Sequence, residues 1–259
     1  MIYVDSHCHL NDDALYEKRA EAVKRAKDSG VSYMLCVGWD LESSRKAIEI
    51  AHESDGVYAA VGIHPENLEG AEESDLALIE EFAKDPKVIA IGEIGLDYHW
   101  VKDPEARESQ KRWFIRQIEL ANAVGLPCTI HARDSVEDAI SILKEHPVAK
   151  GASLHCYGGS VEQMDIALKS IPNIYFGFGG PITFKNARVP KEAAAHCSAD
   201  RILSETDSPY LSPEPFRGTT NESERIPLIV LSMAKLRGIP AEEMSAQLLA
   251  NFRRLFHVE

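Results

Sequence analysis

No stretch of the sequence approaches the roughly 18 consecutive apolar residues that a bilayer-spanning helix needs, so a helical membrane protein is not expected. The opening residues Met1-Ile-Tyr-Val-Asp5 carry neither a basic region nor a long apolar core, so no secretory leader is read there and a cytoplasmic location is expected. Cysteine is scarce: Cys8, Cys36, Cys128, Cys156 and Cys197 are odd in number and form no C-x-x-C pair, which excludes a disulfide scaffold and a zinc–thiolate knot. All five are expected as thiols, with Cys8 and Cys156 open to oxidation because of their neighbours. Positive charge is also in deficit, since 28 Lys and Arg against 41 Asp and Glu leave a net charge of −13. That excludes a long-range basic steering field, but not a nucleic-acid substrate, because a few local cations beside a metal can hold phosphates. No G-x-G-x-x-G or P-loop follows the first apolar run, so the usual nucleotide fingerprint of an open doubly wound sheet is missing.

What is present is a regular beat. Apolar, β-branched runs near Ile2–His7, Val31–Val37, Val57–Val61, Val88–Ile91, Leu126–Ile130, Ala152–His155, Ile174–Phe178 and Arg201–Ser204 read as eight strands. Between them Tyr16–Ser29, Glu42–Ser54, Glu73–Lys84, Pro104–Val124, Ser135–Glu145 and Ser160–Lys169 carry apolar residues at helical spacing, with Ser135 and Ser160 placed as N-caps. A strand every 22 to 36 residues, roughly, suits repeated βα units closed as a (β/α)8 TIM barrel, and residues 1–259 are expected to form one such domain. The irregular stretch Ser208–Arg225 would then lie beside the active face, and Ala241–Phe256 would be a closing helix or helix pair after Pro240.

Polar residues gather at the C-terminal ends of these strands. His7 and His9 end the first, Glu93 the fourth, His131 the fifth, His155 the sixth and Asp207 the eighth, the end of a barrel where sites are built. Side-chain alternation puts His7 and His9 on one face and Cys8 on the other, lines Glu93 up with Ile89 and Ile91, and pairs His131 with Thr129. Four imidazoles and two carboxylates without a thiolate suit Zn, Mn, Fe, Ni or Mg in a hydrolytic site. Six ligands exceed one tetrahedral ion, so two divalent ions about 3.5–4 Å apart are expected, bridged by Glu93. A glutamate among isoleucines is costly to bury unpaired, which favours the metal role for Glu93.

The ordered segments Asp5-Ser-His-Cys-His-Leu10, Gly62-Ile-His-Pro65, Ile91-Gly-Glu-Ile-Gly-Leu-Asp-Tyr98, Ile130-His-Ala-Arg133, Leu154-His-Cys-Tyr157 and Glu205-Thr-Asp-Ser-Pro209 resemble the motif set of TatD-family metal-dependent deoxyribonucleases. Arg217-Gly-Thr-Thr-Asn221 and Asn251-Phe-Arg-Arg-Leu-Phe256 extend the resemblance over nearly the whole chain. It implies a barrel of the amidohydrolase superfamily, two divalent ions (Mg, Mn or Zn) and phosphodiester hydrolysis in DNA, often from the 3′ end of single strands. By that resemblance His7 and His9 hold the first metal, Glu93 bridges, His131 and His155 hold the second, and Asp207 contacts the first metal and takes the proton of the attacking water. His64 would bind or protonate a phosphate oxygen, and Arg133 and Arg217 would contact substrate. Single-stranded DNA is the expected partner, with no membrane and no stable protein partner. The one departure is Asn221-Glu-Ser223, where the family usually has a proline after the glutamate; it touches no ligand.

Blander readings stand beside these. Asp5 would orient a ligand imidazole from below, Glu205 would sit one layer beneath Asp207, and Asp97 and Tyr98 would either anchor their loop or meet substrate. His64 beside Pro65 could equally cap its loop. His52, His99, His146, His196 and His257 have no converging partners and read as surface or structural residues, and the acidic clusters at Glu69–Asp75 and Glu242–Glu243 as solvated helix ends. Two other functions fit the scaffold: hydrolysis of an ester such as that of an aminoacyl-tRNA, and a binding role with catalysis lost. A cyclic-amidase reading is disfavoured because no lysine occurs between Val88 and Tyr98 to form a carboxylated bridge.

Overall fold

The computed structural model describes all of residues 1–259. Eight strands follow one another as parallel neighbours in a single sheet: β1 (Tyr3–Cys8), β2 (Val31–Val37), β3 (Val57–Val61), β4 (Val88–Asp97), β5 (Cys128–Arg133), β6 (Ala152–Leu154), β7 (Ile174–Phe178) and β8 (Ile202–Ser204). Helices α1 (Arg19–Asp28), α2 (Leu41–Glu53), α3 (Glu73–Phe82), α4 (Pro104–Val124), α5 (Val136–Glu145), α6 (Val161–Ser170) and α7 (Arg188–His196) connect them, and α8 (Ile226–Arg237) and α9 (Ala241–Phe256) complete the outer ring. This is the (β/α)8 TIM barrel that the spacing implied. Parallel strands buried on both faces need near-continuous apolar sequence, which β2, β3 and β7 show.

The barrel closes between β8 and β1 through side chains as well as backbone. Ser204 Oγ donates to the Val4 carbonyl at 2.8 Å, and the Asp207 amide donates to the His7 carbonyl at 2.9 Å. The α9 tail is one helix, and its buried Asn251 donates to the Ala199 and Ile202 carbonyls at 2.8 Å each, fastening the tail to the entry of β8.

Three differences from the sequence pattern have physical causes. Strand β4 runs six residues past Ile91, because the Ile94–Asp97 half pairs with Ile130–Arg133 beyond an irregularity that re-phases the ladder. Ser135 stands at the N-cap of α5 but makes no cap hydrogen bond; its hydroxyl donates to the Leu96 carbonyl at 2.8 Å instead, whereas Ser160 does cap α6. Helices α7 and α8 escape the pattern because Pro190 and Pro227 lie in their first turns, where a proline is tolerated, and α8 has little polar face to set off an apolar stripe.

Candidate metal centre

At the C-terminal mouth of the barrel, Glu93 stands between two groups of imidazoles. Its Oε2 lies 3.5 Å from His7 Nε2 and 3.6 Å from His9 Nε2, while its Oε1 lies 3.0 Å from His131 Nδ1, 2.8 Å from His155 Nε2 and 3.5 Å from His64 Nε2. Asp207 completes the first group, its Oδ1 being 3.4 Å from His9 Nε2 and 3.9 Å from His7 Nε2. His7, His9, Glu93, His155 and Asp207 come from β1, β4 and the ends of β6 and β8, as alternation along those strands requires.

The hydrogen bonds behind the imidazoles set their tautomers. His9 Nδ1 donates to the Val37 carbonyl at 2.9 Å, so the neutral ring presents a bare lone pair at Nε2. His131 Nε2 donates to Asp97 Oδ2 at 2.9 Å, which leaves the lone pair on Nδ1, 3.2 Å from His155 Nε2. His7 Nε2 and His9 Nε2 likewise face each other at 3.2 Å, and His155 Nδ1 is buried with no hydrogen-bond partner. Ring nitrogens and carboxylate oxygens packed this closely require positive charge among them, supplied by protons on the imidazoles or by a bound cation. Bonds of about 2.0–2.2 Å from a small dication to nitrogen and oxygen imply ligand-to-ligand edges of roughly 3–3.5 Å, the range in which most of these distances fall. The donor set therefore suits metal binding, and its donor atoms converge in three overlapping groups: His7, His9 and Glu93; His7, His155 and Asp207; and His64, Glu93 and His131.

The charge balance is tense in the same place. Burial alone would raise the Glu93 carboxyl, but the surrounding imidazoles, His155 foremost, hold it well below the usual range. Burial opposes protonation of His131, yet its hydrogen bonds to Asp97 and Glu93 raise it, and Asp97 is correspondingly lowered by His131 against its own burial. His64 is lowered by burial; its Nδ1 accepts from the Glu66 amide at 3.2 Å, so the neutral ring carries its proton on Nε2, pointing at Glu93. His64 is thus a loop cap, and its other nitrogen faces Glu93. Backbone strain collects here too: Asp134, Cys156 and Asp207 are non-glycine residues with φ of 54°, 44° and 55°, conformations that cost of order 1–3 kcal/mol each.

Several supports were not visible in the sequence. Thr129 Oγ1 lies 3.1 Å from His7 Nδ1, and it, rather than Asp5, holds that ring. Asp5 binds the His7 backbone amide at 3.3 Å and the Thr206 amide and hydroxyl at 2.9 and 2.6 Å, so it ties the end of β1 to the Asp207 loop and touches no imidazole. From α4, buried Gln117 grips both the amide and carbonyl of Ile63, and Gln110 grips the Asp97 amide and the Pro65 carbonyl, at 2.8–3.1 Å. Glu205 lies beneath the site, accepting from the Cys156 amide, with Oε1 3.7 Å from His155 Nδ1. Only a glycine at 177 leaves room for its carboxylate. Asn221 donates to the Thr206 and Tyr210 carbonyls and so pins the Asp207 loop.

The site opens into a cavity of about 1130 Å³ lined by His9, His64, Glu93, Arg133 and Asp207 among others. Arg217 does not reach it; its guanidinium stacks on Phe184, 4.3 Å from the ring centre. The five other histidines stay outside the cluster, and His52, His99 and His196 pair with Asp85, Asp134 and Asp165 in exposed positions.

The TatD related DNase family profile matches residues 4–257. A Bacillus subtilis protein described as an uncharacterized metal-dependent hydrolase, YabD, is 42% identical over 255 residues, covering 98% of both chains. The Escherichia coli K12 protein YcfH, described in the same words, is 34% identical over 264 residues, covering 100% of this chain and 97% of its own. Among solved structures, YJJV, a TatD homologue from Escherichia coli K12, superposes with a TM-score of 0.93 at 28% identity, covering 99% of this chain and 98% of that one. Organophosphorus hydrolase from Deinococcus radiodurans, at 13% identity and TM-score 0.64, shares the fold alone. A match over almost the full length places this chain in the TatD-related DNase family of metal-dependent hydrolases.

Proposed function

We propose that residues 1–259 act as one unit that hydrolyses phosphodiester bonds of single-stranded DNA from the 3′ end, using two divalent ions (Mg, Mn or Zn). The observation that carries this is Glu93, whose two oxygens face two separate sets of imidazole nitrogens at 2.8–3.6 Å. When bound, such ions acidify a water and neutralise charge gathering on phosphoryl oxygens. His7, His9, Glu93 and Asp207 would hold one ion, and Glu93, His131 and His155 the other.

The chain's own groups supply the rest. Water adds its oxygen to phosphorus, its proton passes to Asp207, and the phosphorus–oxygen bond to the departing sugar oxygen breaks, that oxygen taking up a proton from solvent to leave as a hydroxyl. Asp207 suits the proton-accepting role because it borders the cavity and its Oδ1 lies 3.4 Å from His9 Nε2, among the groups that would hold the ion beside the attacking water. His64 donates from Nε2 to a phosphoryl oxygen, and Arg133 beside it contributes a fixed positive charge. Asp207→Asn keeps the fold but lowers turnover by about 10²–10⁴, the usual worth of a positioned base. Full activity in that variant removes Asp207 from the role. The ester-hydrolase reading gains ground if metal-loaded protein leaves DNA intact and cleaves an ester.

A further inference from the structure

The cavity that would receive the substrate is short of positive charge. Arg133 is its single lysine or arginine, while Glu66, Asp134, Glu137 and Asp138 line the wall beside it, in addition to Glu93 and Asp207 at the centre. Arg217 is turned away onto Phe184, and Lys111, on the outer side of Asp138, is engaged by Asp138 and Glu108 at 3.0 Å each. A groove that followed many phosphates along a strand would need a row of cations, and none lines this cavity. Its volume of about 1130 Å³ lies just above the roughly 300–1,000 Å³ of small-ligand pockets.

Aromatic surface is present where cations are missing. Trp39 and Tyr210 both lie edge-on to His9, with ring centres 5.3 and 6.3 Å away, and both line the cavity. Tyr210 is 54% exposed yet held in place, since its hydroxyl donates to Asp12 at 2.8 Å. The Trp39 backbone is fixed by the Ser43 hydroxyl, which accepts from its amide at 2.8 Å. Held rings lose little freedom when a base stacks on them. On the other wall Trp100 lies against Arg133, 5.5 Å from ring centre to guanidinium, and that cation remains exposed.

We infer that the protein reads only the terminal one or two nucleotides of its substrate, stacking an unpaired base on Trp39 and Tyr210 and pairing one phosphate with Arg133, so that dinucleotides and other very short oligonucleotides are substrates as good as long strands. This deepens the phosphodiesterase reading above and rests on it.

The test is hydrolysis of oligothymidylates of 2, 5 and 20 nucleotides by Mn-loaded protein across a salt series, with Trp39→Ala and Tyr210→Ala. The dinucleotide is also run with one base replaced by a tetrahydrofuran spacer. Specificity constants are expected to agree within about threefold across lengths, and a log–log salt slope of about −0.7 is expected for one phosphate contact on a single strand. Each aromatic variant should raise KM for the dinucleotide on the order of tenfold, the effect of one lost base stack, with kcat nearly unchanged. Removal of the base and removal of the ring should not add, because both delete the same contact. A specificity constant that climbs tenfold or more with length, a slope of about −3 or steeper, or variants that match wild type overturns the inference while leaving the nuclease reading intact. No hydrolysis at any length overturns both.

Discussion

Asp97 shows how a residue can matter without touching a ligand site directly. Its carboxylate fixes His131 in the tautomer that turns Nδ1 toward Glu93, and the sequence alone left it between anchoring a loop and meeting substrate. Asp97→Asn is expected to weaken Mn or Zn binding by about 10–100-fold in a calorimetric titration, the usual cost of losing such a partner. Unchanged affinity would show that His131 is oriented by its packing alone. That His7, His9, Glu93, His131, His155 and Asp207 converge was legible because all six lie in the C-terminal halves of barrel strands or just beyond, where the strands meet at one mouth. Thr129, Gln110 and Gln117 were not, because a hydrogen bond between residues 122 or 54 positions apart leaves no mark on local pattern. Arg217 misled for a related reason: motif position says nothing of which way a loop turns, and here it turns onto Phe184.

Helix α4 does more than pack against the barrel. Through Gln117 it satisfies both backbone groups of Ile63, next to His64, and through Gln110 it reaches Asp97 and Pro65, so one helix sets the height of two site segments. Gln117→Ala leaves two buried backbone groups unpaired, at about 1–3 kcal/mol each. For a chain of this size that lowers the melting temperature by roughly 5–15 °C, and a drop under 2 °C, roughly, would mean water replaces the amide at little cost. Helix α5 presents Asp138, which accepts from the Tyr98 hydroxyl at 2.7 Å and pairs with Lys111 at 3.0 Å. These partners hold its carboxyl below the usual range. A lowered folded-state value means that the stabilisation is present above the unfolded value of about 4 and is lost as pH falls through the folded one. The stability gap between wild type and Asp138→Asn, read from melting between pH 7 and pH 2.5, should therefore close at the acid end; a gap that persists there would not be electrostatic. Strand β4 was read too short because its bulged register breaks period-two alternation near Glu93, a misreading that local pattern could not correct.

The whole barrel was legible because eight repeats of one unit are hard to mistake, while the β8–β1 seam, built from Ser204, Asp5 and Thr206 side chains, was not. Four of the five thiols, Cys8, Cys36, Cys128 and Cys197, are buried, and burial pushes Cys36 and Cys197 up to about 12. Metal binding at a site drawn from four strands and the Asp207 loop should stabilise the entire fold. At a free ion concentration near 100 times Kd one ion adds about 2.7 kcal/mol, so chelation should lower the melting temperature by roughly 5–10 °C. An identical melting curve with and without chelator would mean that the cluster holds no ion. The most direct measurement is cleavage of 3′-labelled and 5′-labelled single-stranded DNA by protein loaded separately with Mg, Mn and Zn, with Glu93→Ala and His131→Ala alongside. Wild type should shorten the strand from its 3′ end with at least one metal, and both variants should leave it whole. Wild type that binds two ions yet leaves DNA intact would contradict the nuclease reading, and cleavage that survives Glu93→Ala would contradict the bridge.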